Sequence, residues 1–173
     1  MENYILLKES KELQELSKQL GFTRTLFLDK DFVLIKAISK KDLLKKINQA
    51  KRKITIFKAE SEELLRFALE KSPVNIVYGM ETINYKDSVH FVRGGLDQIM
   101  CRIAKDKGKT IAFSFSELLK SRNRGQLIAR IKLNIKLCKK YKVKTVFTNF
   151  SSKKMEMRSA KDLKSFWTFL NKN

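Results

Sequence analysis

The sequence predicts a single α/β domain built on parallel strands. Short, apolar, β-branched segments alternate with amphipathic helical segments, at roughly 20–35 residues per unit. No fixed-period repeat, low-complexity tract or shift in composition divides the chain. Its 173 residues, 43% of them hydrophobic, suffice for one substantial core and do not indicate disorder. The rhythm fits an open sheet or a (β/α) barrel equally well.

Residues 4–7 are a first apolar strand. Ser10 is placed to cap a helix through Leu20, with Leu13, Leu16 and Leu20 on one side and Gly21 as the stop. Residues 25–28 and 32–38 read as strands across the turn Asp29-Lys30-Asp31. Ser39 opens a helix carrying Leu43, Leu44 and Ile47, whose outer face is nearly all lysine. After a strand at 54–57, Ser61-Glu62-Glu63 starts a helix with Leu64, Leu65, Ala68 and Leu69, ending before Pro73. Residues 74–78 form a strand and Gly79 lets the chain turn.

An irregular stretch, 80–95, holds Tyr85, Lys86, His90 and Arg93 and closes on Gly94-Gly95. A helix over 96–107 puts Ile99, Met100, Ile103 and Ala104 inward. Residues 110–115 are a strong strand, 116–120 begin a helical turn, and 121–125 are a polar, basic connection. Along the next helix, 124–141, Leu127, Ile128, Ile131, Ile135 and Cys138 fall on one stripe at about 100° per residue. Lys132, Lys136, Lys139 and Lys140 line one flank of that stripe, and Arg130 the other. A strand at 143–148 follows. Ser159 and Asp162 stand at capping-box spacing, which sets Arg158 just outside the N-terminus of the last helix, an end that favours anions.

Charge narrows the partners. The chain carries 38 Lys and Arg against 18 Asp and Glu, a net +20. Residues 1–100 hold 18 basic and 14 acidic residues, and residues 101–173 hold 20 and 4, so the second part carries +16. A polyanion would relieve that self-repulsion, nucleic acid first and an anionic membrane second. No apolar run approaches the roughly 20 residues of a spanning helix, and Met1-Glu2-Asn3 begins nothing like a signal peptide. Cys101 and Cys138 both fall on apolar helix faces, as buried thiols of a reducing, cytoplasmic setting.

Catalytic constellations are absent from the pattern. No Gly-x-Gly-x-x-Gly or phosphate-loop motif occurs, and the lone histidine, His90, cannot build a multi-histidine metal centre. Neither cysteine sits on a loop beside it. Basic clusters do recur where βα loops fall: Lys86 and Arg93; Lys120, Arg122 and Arg124; Lys153, Lys154 and Arg158. Such loops gather at the C-terminal ends of parallel strands, so the three clusters are expected on one rim. Tyr85, Phe150 and Trp167 are aromatic candidates for stacking, with Trp167 on a core-type helix face and Phe150 open to either role. The pattern suits backbone recognition of RNA, since no RNP1-like strand or zinc knuckle occurs.

The run Val89-His90-Phe91, then Gly95-Leu96-Asp97-Gln98-Ile99-Met100-Cys101-Arg102-Ile103-Ala104, then Thr110-Ile111-Ala112-Phe113-Ser114-Phe115-Ser116-Glu117-Leu118-Leu119, resembles the protein component 3 family of archaeal ribonuclease P. The similarity continues through Asn134-Ile135-Lys136-Leu137-Cys138-Lys139-Lys140-Tyr141-Lys142-Val143, the strand 145–148, and Met157-Arg158-Ser159-Ala160-Lys161-Asp162-Leu163. It covers residues 84–170; the first 80 residues share only the strand–helix rhythm.

The resemblance implies a TIM-barrel-like (β/α) barrel of the polymerase-and-histidinol-phosphatase type without that superfamily's metal ligands. It also implies a protein subunit of ribonuclease P, which removes 5′ leaders from precursor tRNA. In that enzyme the RNA does the chemistry with magnesium. The protein holds no cofactor, has no catalytic residue, and pairs with component 2 in a hetero-oligomer. RNA contacts are then expected from Lys86, His90, Arg93, Lys120, Arg122, Arg124, Arg130, Lys132, Lys153, Lys154, Arg158 and Lys161. This chain departs from the family in having Asn149-Phe150-Ser151-Ser152 for a small-residue turn and Ala160 for a proline. It also falls short of the about 250 residues of an eight-fold barrel, so a small barrel, reduced or incompletely closed, is expected. Two other readings stand beside it: a divergent metal-dependent phosphoesterase using Asp87, His90, Asp97 and Glu117, and a different basic RNA-binding accessory protein.

Overall fold

A computed structural model of the chain describes residues 2–50, 53–84 and 86–172. Among them are seven strands and seven α-helices: β1 (Glu2–Ile5), α1 (Lys11–Gln19), β2 (Arg24–Phe27), β3 (Phe32–Ile35), α2 (Lys40–Gln49), β4 (Ile54–Lys58) and α3 (Glu62–Lys71). Then come β5 (Ile76–Tyr78), α4 (Gln98–Asp106), β6 (Thr110–Ser114), α5 (Phe115–Lys120), α6 (Arg124–Lys140), β7 (Lys144–Thr148) and α7 (Ala160–Asn171). Every ladder is parallel, as the alternation predicts: β1 pairs β2, and β3-β4-β5-β6-β7 form a five-stranded sheet in sequence order.

Helix starts follow their capping residues. Ser10, Ser39, Ser61 and Ser159 each accept, through Oγ, the amide of the residue three positions on. Asp97 and Asn123 do the same for α4 and α6. Each satisfies an orphan donor of a first turn, worth about 1 kcal/mol.

The strands bury both faces. On one side Ile35, Phe57, Val77, Ile111, Phe113 and Phe147 pack against the helices. On the other, Tyr4, Leu26, Phe32, Ile56, Ile76, Tyr78 and Ala112 meet in a second cluster with Phe150, and Val146 packs against it. Six of the seven strands thus send buried side chains into one interior, and β7 adds Val146.

Two short seams join the sheets. Leu28 bridges Phe32 beside the turn at Asp29, whose φ is +64°. Ile5 bridges Ser151, with the Leu6 amide donating to the Ser151 carbonyl (2.9 Å) and the Phe150 amide to the Tyr4 carbonyl (2.9 Å). Side chains seal this second seam. The Tyr4 amide donates to Thr148 Oγ1 (2.8 Å), and Asn149 Nδ2 donates to Asn3 Oδ1 (3.1 Å), with Asn3, Thr148 and Asn149 all fully buried.

The structure corrects several local expectations. The first strand lies at Glu2–Ile5 because its partners are Arg24–Phe27, two residues earlier than the apolar run suggests. Ile99 is 54% exposed; α4 turns Met100, Cys101 and Ala104 inward instead. Phe150 is core: 1% exposed, with its ring stacked on Tyr78 at 4.5 Å. Trp167 stacks on Phe147 at 5.6 Å, the core role its helix face indicates.

Candidate nucleic-acid interface

Gly79 takes a left-handed φ of +83° at the end of β5 and starts the 3₁₀ turn Met80–Thr82. The chain then runs past the N-terminal end of α6 and returns to α4. Two glycines fix that return. A Cβ on Gly95, at φ +88°, would sit 2.1 Å from the Met80 carbonyl oxygen, and one on Gly94 would sit 2.4 Å from Asn134 Oδ1. Asn134, fully buried in the middle of α6, donates to the Gly94 carbonyl at 2.7 Å.

Between this loop and the α5–α6 connection lies a cleft of about 840 Å³ beyond the C-terminal ends of β5 and β6. Lys86, Lys120, Arg122, Gln126 and Arg130 line it together with Glu81, Asp87 and Glu117. Two of its three acids are paired internally. Asp87 Oδ1 accepts from the Arg93 amide (2.8 Å) and from Arg130 Nε (2.9 Å), and its other oxygen accepts from Gln126 Nε2 (2.7 Å). Those bonds, the Arg93 amide first, hold its carboxyl down at about 2. Glu117 pairs with Lys58 at 2.9 Å. Glu81 is fully buried, its carboxyl oxygens make no hydrogen bond to another residue, and burial raises its pKa to about 7. Lys86 and Arg122 are exposed, and no acid among the described residues pairs with either.

Two of the three expected clusters contribute side chains to this rim. Lys86 and Arg122 share the cleft with Lys120, whose Nζ reaches across to Ser152 Oγ (2.8 Å) and Glu156 (3.1 Å). The segment so contacted carries Lys153 and Lys154, both exposed, with Lys154 paired to Glu12. Arg158 follows: its backbone is clamped by the Asn149 side chain (3.0 and 3.2 Å), and its guanidinium donates to the Met155 and Met157 carbonyls. Lys161 is exposed on the first turn of α7. Arg124 is exposed and donates to the Leu119 carbonyl (3.0 Å). His90 and Arg93 are exposed on the 86–95 loop.

Two expected contacts are not free cations of this rim. Arg130 is not on an outer flank of α6. It is 4% exposed, ion-paired to Asp87 at 2.8 Å, and donates to the Glu81 carbonyl (3.0 Å) and to that of Asn84. That guanidinium has no surface to offer a phosphate, because it fastens the loop to the helix. Lys132 sits apart from the cleft, in the α6–α7 groove, with its ammonium 5.5 Å from the Phe169 ring centre. Tyr85 lies outside the described residues.

The acids of the phosphoesterase reading are each committed to another group. Asp97 caps α4, Asp87 holds Arg130, and Glu117 holds Lys58. Among the described residues no three His, Cys, Asp or Glu side chains group to hold a metal, and no helix is long and apolar enough to cross a membrane. Sequence reasoning passed over Glu81, Gln126 and Asn134. Polar residues at inward helical phase were the available signal for the last two.

Parallel strands with a cation-lined cleft beyond their C-terminal ends define a basic α/β protein. No family model matches the chain. It is similar to ribonuclease P protein component 3 of Methanococcus maripaludis: 29% identical to the strain C6 protein over 138 residues, and 28% to the strain C7 protein over the same length. The first match covers 78% of this chain and 56% of the relative, so the chain spans about half the length of the curated relatives it matches. In solved structures, it shares the fold of a chain of archaeal ribonuclease P bound to mature tRNA, at TM-score 0.84 and 23% identity, over 99% of this chain and 83% of that one. The curated relatives support the family resemblance drawn from residues 84–170, and the solved structure supports the fold.

Proposed function

We propose that this chain is a protein subunit of ribonuclease P, an RNA-binding support for a catalytic RNA that removes the 5′ leader of precursor tRNA. The observation that carries the reading is the meeting of Lys86, Lys120 and Arg122 around one cleft in which Asp87 and Glu117 are already paired with Arg130 and Lys58. The similarity to component 3 points the same way. Arg gives bidentate phosphate contacts and Lys a less directional charge, so the rim grips backbone and leaves base reading aside. Within this reading the RNA subunit and its magnesium do the chemistry, this chain supplies no catalytic residue or cofactor, and component 2 is its protein neighbour in the cytoplasm.

The reading also takes the strands as a small barrel. Seams at Leu28–Phe32 and Ile5–Ser151, and an interior cluster fed from all around the strand set, support a ring of seven. The link to the polymerase-and-histidinol-phosphatase type rests on family resemblance alone.

Reconstitution with ribonuclease P RNA, the remaining protein subunits and precursor tRNA tests the proposal. An Arg122→Ala/Arg124→Ala chain should assemble more weakly and lose about one to two phosphate contacts from the salt slope, each worth roughly 0.7–0.9 in log–log units. An unchanged slope removes both arginines from the interface.

A further inference from the structure

Three large apolar residues near the tip of the 86–95 loop are exposed. Val89 is 96% exposed, Phe91 60% and Val92 39%. A flexible loop would gain nothing by carrying them outward, but this loop is not loosely attached. Asp87 ties its two ends together through the Arg93 amide and anchors them to Gln126 and Arg130. Gly94 and Gly95 press its exit against Asn134 and Met80. Ser88 and Phe91 close the tip with an amide-to-carbonyl bond of 3.1 Å.

The aromatic at that tip is set among cations. Arg93 places its guanidinium 5.8 Å from the Phe91 ring centre. His90 precedes the ring, and Lys86 leads into the loop from the cleft wall. The loop's one carboxylate, Asp87, is turned inward to Arg130. An exposed ring beside unopposed positive charge suits a flat, electron-rich, anion-bearing ligand better than an acid-free apolar protein face.

We propose that Phe91 is a stacking platform for an unpaired nucleobase of the bound RNA, with Arg93 and Lys86 taking the flanking phosphates. This rests on the RNA-binding reading above and adds to it a preference for single-stranded over duplex RNA. An adjacent protein subunit is the competing occupant.

Two probes and three variants decide it. The probes are an oligoadenylate of about 12 nucleotides and a blunt RNA duplex of about 16 base pairs. Phe91→Ala in the full chain should weaken oligoadenylate binding about tenfold or more and leave duplex binding unmoved. Phe91→Trp should restore the affinity, and its added fluorescence, measured over the Trp167 background of the parent chain, should be quenched by oligoadenylate. Phe91→Leu should not restore it. If oligoadenylate binds the parent and Phe91→Ala chains equally and the new tryptophan is not quenched, the platform is refuted while RNA binding stands, and the tip belongs to a protein neighbour. If Phe91→Leu rescues as well as Phe91→Trp, the ring acts by bulk and stacking is refuted. If neither probe binds the parent chain at low salt, the RNA-binding reading fails and the platform with it.

Discussion

Glu81 is an acid whose chemistry burial displaces from the ordinary. Its carboxyl is wholly buried, and burial lifts its pKa from 4.5 to about 7. The native state therefore keeps this proton over a range where the unfolded chain has lost it. Stability from this group is complete below pH 4.5 and falls as pH rises through 7, by about 3 kcal/mol at most. Asp87 works in the opposite sense: its depressed pKa stabilises the fold above the usual carboxylate range and loses that effect as pH drops toward 2. Thermal melts from pH 5 to 8 should show the decline, and Glu81→Gln should flatten it. A decline of the same slope in the variant assigns it to another group. Gly95 offers a second check at this scale. With φ at +88° and the Met80 carbonyl where a Cβ would go, Gly95→Ala should cost at least about 2 kcal/mol in chemical denaturation.

Helix starts and faces were the most legible elements. Serine followed by a helical apolar stripe located α1, α2, α3 and α7, and each serine bonds where a cap should. Ser159→Ala should lower stability by about 1 kcal/mol, since it frees the Asp162 amide at the start of α7. The long helix α6 was read only in part. Its stripe of Leu127, Ile131, Ile135 and Cys138 is buried as the period requires, yet Arg130 and Asn134 are buried beside it. Both anchor the 80–95 loop, whose path the local sequence does not encode. A charge that looked solvated is therefore internal, and one member of the expected site was lost. Phe150 was equally undecidable, because its burial depends on β1, almost the whole chain length away. Strand ends slipped for the same reason: a partner fixes them, and the run of apolar residues alone does not.

Across the whole molecule, charge and fold oppose each other. The chain carries +20, and residues 101–173 hold only four acids, of which Glu117 and Glu156 already face Lys58 and Lys120. Repulsion of this kind is screened as the Debye length falls from about 10 Å at 0.1 M to 3 Å at 1 M salt. Melting temperature should rise from 0.05 M to about 0.5 M potassium chloride, and rise further with a polyanion at low salt. A melting temperature indifferent to both would mean that the excess charge is too dispersed to strain the fold, and that no binding rim concentrates it.

The seam between β1 and the residues after β7 sets the order in which this protein can be made. During translation β1 leaves the ribosome well before β7, with β2 as its one ladder partner among the described residues. The Thr148 hydroxyl that receives the Tyr4 amide is synthesised 144 positions later. Contacts so distant in the chain are slow to close. A chain released after Lys142 should thus remain collapsed and protease-sensitive, and hydrogen exchange at Tyr4 and Leu6 should become protected only once Ser151 has emerged.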